Sequence, residues 1–463
     1  MRPREWQRHL IQMLRRRLAP SPSSSRDVLV FAGPGAGKTL GALLAYRSLK
    51  QQGELNRLVV FCHRMSIQEQ WKKTAELLEI KLREWPNDAT EIADAEGLLV
   101  TYQGAGRQLQ RFIHTLDRWD LNRCMAIADE AHHLGVAPDE PESPAWGQTF
   151  QLASANVRLR LGLTGTPFRA DNLAFCSARR IRRLQDGVPI EQIVPDLCVE
   201  PRALIEAGDV RPLEFHFQDG WVEHSREGLP DRDVSPLSSE QRESWRARNL
   251  RRAIRLADGS SIGQQVLLKA QQKLNDIRAK HPGAAGLVIA RDINHAESIT
   301  RILQEDGNRV DLVHSQDRDA TQRLHGFQSG KAQWLVSIDM CSEGFDAPRL
   351  RVVAYMTTVV TRSRFLQGIT RAVRMTPSLA QTEPIPRRPS YVFAPADPLL
   401  MQYAQSWSTA EPYVIRTSAE EAEDAPATSS SWRGLSLPLE AINDGASDII
   451  ELKAPELPSF LQR

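Results

Sequence analysis

The chain has 463 residues, 41% hydrophobic and 25% charged, a size and composition that suit two or three globular domains. Its 59 Lys and Arg nearly balance 57 Asp and Glu, so a formal net charge of +2 neither demands nor excludes a nucleic-acid partner and local patches must decide. Five cysteines (Cys62, Cys124, Cys176, Cys198, Cys341) without a CxxC pair argue against a zinc ribbon or disulfide framework, and no apolar run approaches the ~20 residues of a membrane span.

Residues 5–18 read as a short amphipathic helix; the Arg-rich start carries Glu5 and no serine, which argues against a transit peptide. After the loop Pro20–Ser25, apolar runs alternate with helical stretches: Val28–Ala32, Leu58–Cys62, Leu98–Thr101, Met125–Ala128 and Leu159–Leu163. Continuous apolar runs of this length fit parallel strands covered on both faces, and helices between them imply right-handed βαβ units. Residues 170–260 look less regular, with an Arg-rich helix (Arg179, Arg180, Arg182, Arg183) and a stretch Gly220–Ser239 rich in Gly, Pro and charge. The arginines form either a solvated helix face or a patch for duplex. Residues 262–280 read as one helix. A second α/β pattern follows in Leu287–Ala290, Val310–Val313, Trp334–Ile338, Arg351–Tyr355 and Ser390–Phe393. Beyond Gln405 the acidic, small-residue stretch Ala419–Ser431 reads as a disordered linker.

The sequence therefore predicts an N-terminal helix (1–25), a first α/β lobe (26–215), a linker or insert (216–260), a second lobe (261–400), and an acidic linker with a C-terminal tail (401–463).

Directly after the first strand stands Ala32-Gly-Pro-Gly-Ala-Gly-Lys-Thr39. Glycines let backbone N–H groups curl around phosphate oxygens, and the following helix N-terminus adds its positive dipole end. Gly33, Gly35, Ala36 and Gly37 form the loop, Lys38 can reach the β and γ phosphates, and the Thr39 hydroxyl can bind Mg²⁺. The pair Asp129-Glu130 ends the apolar strand Cys124–Ala128. Asp129 suits a second Mg²⁺ contact and Glu130 suits orienting and deprotonating an attacking water. ATP and Mg²⁺ are the cofactors expected. His132 and His133 follow, but the His-Glu-x-x-His of a zinc protease is absent.

Together with further segments in order, these motifs resemble the DEAH-type helicases of superfamily 2, nearest to bacterial RadD-type and restriction-type DNA helicases. Arg4-Glu-Trp-Gln7 resembles the adenine-reading element, with Arg4 and Gln7 as its readers. Val59–Arg64 with Gln70-Trp71 resembles motif Ia, and Val100–Gln103 motif Ib. Leu163–Arg169 resembles motif III, with Gly165 where Ala is usual, a change expected to loosen it. Leu287–Ala296 resembles motif IV and Val336–Pro348 motif V. Gln367–Arg374 resembles motif VI, with Thr370 in a Gly position.

The resemblance implies an α/β fold of two tandem RecA-like domains with parallel sheets and an ATP cleft between them, followed by a short C-terminal extension. It implies that Arg371 and Arg374, sharing one helix face, act on the γ-phosphate beside Lys38, Asp129 and Glu130. Gly344 and Asp346 would serve the nucleotide from motif V. Arg64, Thr101, Tyr102 and Gln103 in the first lobe, and Arg291, His314 and Ser315 in the second, would contact nucleic acid. His132, Thr164, Thr166 and Gln367 would couple the two sites. The expected function is a cytoplasmic ATP-dependent motor on nucleic acid, single-stranded or forked DNA before RNA, in repair, recombination or phage defence. Further partners are expected at the C-terminal tail, and no membrane. An ATP-gated binding subunit without strand separation and an RNA remodelling enzyme are the alternatives.

Overall fold

Aliphatic runs flanked by helix-forming segments give strands that are buried on both faces, and the chain builds two separate sheets from them. The computed structural model describes residues 3–19, 25–86, 95–134, 143–165, 175, 180–185, 188–225, 232–239, 243–256, 261–314, 316–317, 319–328, 330, 332–338, 346–405, 407 and 452–453. The C-terminal tail that was expected to dock partners lies almost wholly outside the described residues. Two units meet in sequence between Leu204 and Ile205.

The first unit holds a seven-stranded sheet ordered β3-β4-β2-β5-β6-β1-β9. These are β1 (Asp27–Ala32), β2 (Arg57–Cys62), β3 (Leu82–Glu84), β4 (Gly97–Thr101), β5 (Cys124–Ala128), β6 (Leu159–Thr164) and β9 (Leu197–Val199). Every pairing in it is parallel. Strands β1, β5 and β6 are buried along their whole length; β1 after Asp27 and all of β5 read as unbroken apolar runs, while β6 carries Arg160, which is paired with Asp27 at 3.4 Å. On one face Phe61 packs edge-on against Phe112 and Phe150 at 5.6 and 5.1 Å between ring centroids. Helix α1 (Glu5–Leu18) buries Trp6, Leu10, Leu14 and Leu18. Helix α2 (Lys38–Gln51) leaves the phosphate loop, and α3 (Met65–Glu76) follows β2.

The second unit holds a six-stranded parallel sheet ordered β10-β17-β16-β13-β15-β14. Its strands are β10 (Leu213–Gln218), β13 (Ala285–Ala290), β14 (Val310–Val313), β15 (Trp334–Ser337), β16 (Leu350–Met356) and β17 (Ser390–Pro395). The helix Ile262–Lys280 covers one face with Val266, Ala270 and Leu274, and Phe327, Phe365 and Leu400 cover the other.

Three expectations for the middle of the chain change. Arg180–Gln185 is strand β7, not helix; it pairs antiparallel with β8 (Val188–Ile193). The residues between them, Asp186-Gly187, are a pair that two-residue hairpins favour, a signal that outweighs the run of arginines. Arg179 lies outside the described residues. Within Gly220–Ser239, β11 (Trp221–Ser225) and β12 (Arg232–Pro236) form a second antiparallel pair. The boundary drawn at 215 falls inside β10, which pairs with β17 in the second sheet. Alternating aromatics (Phe215, Phe217) suit this edge strand, which is only partly covered.

Candidate functional site

The phosphate loop links β1 to α2 through a turn that only glycine accommodates comfortably. Gly35 and Gly37 sit at φ 78° and 80°, the left-handed region that side chains resist. Gly37 is the N-cap of α2, and no side chain caps that helix. The first-turn N–H groups of α2 and the cationic Lys38 thus present a donor set for a polyanion, which fits the phosphates of ATP.

Lys38 Nζ lies 3.7 Å from Glu130 Oε1 and donates to the Ala32 carbonyl at 3.4 Å. The C-terminal ends of β1 and β5 thus bring Lys38, which Thr39 follows, to Glu130, which follows Asp129, with β6 between the two strands in the sheet. Burial first, and then the neighbouring Glu130, push Asp129 up to about 6, against the pull of Trp71 and Lys38. Burial also works to raise Glu130, but the Lys38 charge and then His132 outweigh it and hold Glu130 well below the usual carboxylate range. A Mg²⁺ would be held by the Thr39 hydroxyl and Asp129. That chemistry neutralises phosphate charge. Glu130, ionised, is the group able to hold and deprotonate a water.

His132 Nδ1 is 3.0 Å from Thr164 Oγ1 and 3.4 Å from Glu130 Oε2. Burial, then His133, lower His132 to about 4, so its ring is neutral near pH 7. Thr164 closes β6, and Gly165 follows it. A methyl at Gly165 would sit 2.9 Å from Lys38 Nζ, so the glycine leaves room for the lysine. Thr166 lies outside the described residues.

The Arg4–Gln7 element is joined to the phosphate loop. Arg4 Nη1 donates to the Gly35 carbonyl at 2.7 Å, Trp6 Nε1 to Ala36 at 3.1 Å, and Gln7 Nε2 to Gly37 at 3.1 Å. Gln7 Oε1 accepts from the Arg4 backbone N–H at 2.9 Å. Trp6, which sequence reasoning passed over, also packs so closely that a methyl at Gly41 would meet its ring at 2.8 Å.

Of the residues expected to contact nucleic acid, Arg64 and Gln103 are exposed, beyond the ends of β2 and β4. Thr101 Oγ1 accepts from Gly104 N at 3.0 Å as the N-cap of α4 (Tyr102–Arg107). Tyr102 is a correction: it is fully buried, and its hydroxyl donates to the Asp129 carbonyl at 2.9 Å. Trp71, fully buried, donates from Nε1 to Asp129 Oδ2 at 2.7 Å. Nothing in the local sequence announces these two bonds, because they cross between strands far apart in the chain.

In the second unit, Arg291 and His314 follow the C-terminal ends of β13 and β14, where α/β sheets place ligand contacts. Ser315 and Gly344 lie outside the described residues. Arg374 Nη1 pairs with Asp346 Oδ1 at 2.7 Å. Gln367 lies in the helix Arg362–Ile369, which ends before the arginines. Arg371 is instead buried in a 3₁₀ turn, Thr370–Val373, and Arg374 is the extended residue that caps it. The single helix face expected for the two arginines is replaced by this tighter turn. It is fastened from outside: Arg211 N donates to the Val373 carbonyl at 2.8 Å and Ser390 Oγ to Ala372 at 2.8 Å.

Residues 1–169 match the family model "Type III restriction enzyme, res subunit", and residues 269–376 match "Helicase conserved C-terminal domain". The chain belongs to the superfamily 2 helicases, related to the restriction-type members. An uncharacterized protein of Mycobacterium tuberculosis is 30% identical to this helicase over 91% of the chain and 66% of its own length. An uncharacterized protein of Mycobacterium leprae is 29% identical over 91% of the chain and 67% of its own length. The helicase thus spans about two thirds of the length of these relatives. Among solved structures, a fragment described as an HsdR subunit of a type I restriction enzyme from Vibrio vulnificus superposes with a TM-score of 0.55 at 15% identity. That superposition covers 89% of this chain and 67% of the fragment. Among the described residues no helix is long and apolar enough to cross a membrane.

Proposed function

We propose that this helicase is an ATP-driven motor that moves along DNA, single-stranded or forked, and serves in repair, recombination or defence against foreign DNA. The observation that carries this reading is the approach of Lys38 to Glu130 at the mouth of the uncapped α2 helix. It provides a phosphate-binding cation and an ionised water-holding carboxylate in one place.

In this reading Lys38 and the loop N–H groups hold phosphates, Thr39 and Asp129 hold Mg²⁺, and Glu130 takes a proton from the attacking water. Arg371 and Arg374 contribute positive charge to the transition state, an effect typically worth ~10³–10⁵ in rate. Arg64, Thr101 and Gln103, with Arg291 and His314, contact phosphates of the strand, so the grip is independent of sequence and weakens with salt.

ATP turnover measured with single-stranded DNA, forked DNA and RNA tests the proposal. DNA is expected to raise turnover well above the rate of the protein alone, and forked DNA to be separated. Stimulation by RNA alone would replace the DNA assignment with RNA remodelling, and ATP-dependent DNA binding without strand displacement or movement would mark a clamp instead of a motor.

A further inference from the structure

The sheet of the first unit sorts the expected site residues by strand. Nucleotide residues follow β1, β5 and β6; nucleic-acid residues follow β2 and β4. The order β4-β2-β5-β6-β1 puts the dividing line between β2 and β5. Two buried side chains cross that line. Trp71, on α3 after β2, holds the Asp129 carboxylate; Tyr102, the first residue of α4 after β4, holds the Asp129 backbone carbonyl.

These bonds act on different parts of the acidic turn. Asp129 Oδ2 accepts from Trp71 at 2.7 Å, while Oδ1 accepts from the Glu130 backbone N–H at 3.1 Å. The carboxylate therefore has a fixed rotation. Tyr102 fixes the peptide plane that joins Asp129 to Glu130. Glu130 then sits at φ 49°, a left-handed conformation that a side-chain-bearing residue resists. A residue in such a conformation needs its flanking peptide held.

We infer that Trp71 and Tyr102 are positioning residues that tie the Mg²⁺-holding and water-holding acids to the two helices beside the nucleic-acid contacts. Displacement of α3 or α4 by a bound strand moves a hydrogen bond on Asp129 directly, one through its side chain and one through its backbone. The inference rests on the motor reading above, since it needs a strand that binds beside Arg64 and Gln103.

The test uses the full chain with Trp71→Phe and Tyr102→Phe. Each keeps an aromatic ring in the core and removes the donor; Tyr102→Phe changes nothing else, whereas Trp71→Phe also leaves part of the buried indole's space empty, so its melting temperature is read beside it. ATP turnover is measured with and without saturating single-stranded DNA, beside the ATP KM, the Mg²⁺ concentration for half-maximal turnover, DNA affinity and the melting temperature. Both variants are expected to lose stimulation by DNA by about fivefold or more, the low end of ordinary coupling, through kcat, with the ATP KM and DNA affinity held within about twofold. Trp71→Phe alone is expected to raise the Mg²⁺ requirement. A stimulated wild type with equally stimulated variants overturns the inference alone. A wild type whose turnover ignores nucleic acid overturns the motor reading and the inference together.

Discussion

His132 Nδ1 and Thr164 Oγ1 lie 3.0 Å apart, which joins the turn after β5 to the end of β6. Thr164 is fully buried, so its hydroxyl cannot exchange this partner for water. A Thr164→Val substitution keeps the shape and removes the oxygen. Losing one oriented hydrogen bond of about 0.5–1.5 kcal/mol corresponds to a roughly 2- to 13-fold fall in kcat. Steady-state kinetics should show that fall with the ATP KM little changed. An equal change in both would place Thr164 in nucleotide binding instead.

Gly165 makes a second prediction at the same strand end. A Cβ there would stand 2.9 Å from Lys38 Nζ, the far end of a flexible side chain, so Gly165→Ala is expected to fold normally while moving the lysine away from the phosphate position. The ATP KM should rise several-fold, with the melting temperature unchanged.

Trp6 should matter to the nucleotide without touching the reacting atoms. Its indole N–H holds the Ala36 carbonyl and its ring fills the space over Gly41. Trp6→Phe should raise the ATP KM modestly by freeing the loop. Trp6→Ala should also lower stability by about 3–5 kcal/mol, the usual cost of emptying a buried Trp site. Denaturant titration of both variants beside ATP kinetics separates the two effects.

The second unit carries a pH-dependent fastening. Arg211, fully buried, donates from Nη1 and Nη2 to the two carboxylate oxygens of Glu383 at 2.7 and 2.5 Å. Burial works to raise Glu383, but the bond from Arg211 and that from the Arg388 backbone outweigh it and hold the group below its ordinary 4.5. A lowered folded-state value stabilises the fold above the ordinary value, and that contribution is lost as pH falls through the folded value. Arg211→Met leaves the Glu383 carboxylate without its partner and is expected to cost about 3–5 kcal/mol at pH 7. The gap from wild type should narrow as the pH falls below about 4.5. A gap that stays constant from pH 7 to 4 would show that the carboxylate plays no part.

The parallel strands were legible because both faces are covered, so β1 after Asp27 and all of β5 are apolar, and β6 keeps its leucines on either side of Arg160. The phosphate loop and Asp129-Glu130 were legible because their chemistry is local: a turn that requires glycine, and an acid at a strand end. What was not legible depends on neighbours in space. Tyr102 reads as a nucleic-acid contact until β4 is placed beside β2, and β2 beside β5; its buried hydroxyl then donates to the Asp129 carbonyl. Trp71 reads as packing until the same placement supplies an acceptor for its N–H. The Arg180–Gln185 strand was obscured by charge, although the following Asp186-Gly187 held the hairpin signal.

The central claim is that Glu130 works on water while Lys38 and the loop hold the triphosphate. It is tested most directly by Glu130→Gln, with ATP binding and DNA-stimulated turnover measured on the same preparation. The account predicts that binding stays within a few-fold of wild type while turnover falls by ~10²–10⁴, the usual weight of a general base. Turnover near the wild-type rate in a variant that still binds ATP would contradict it.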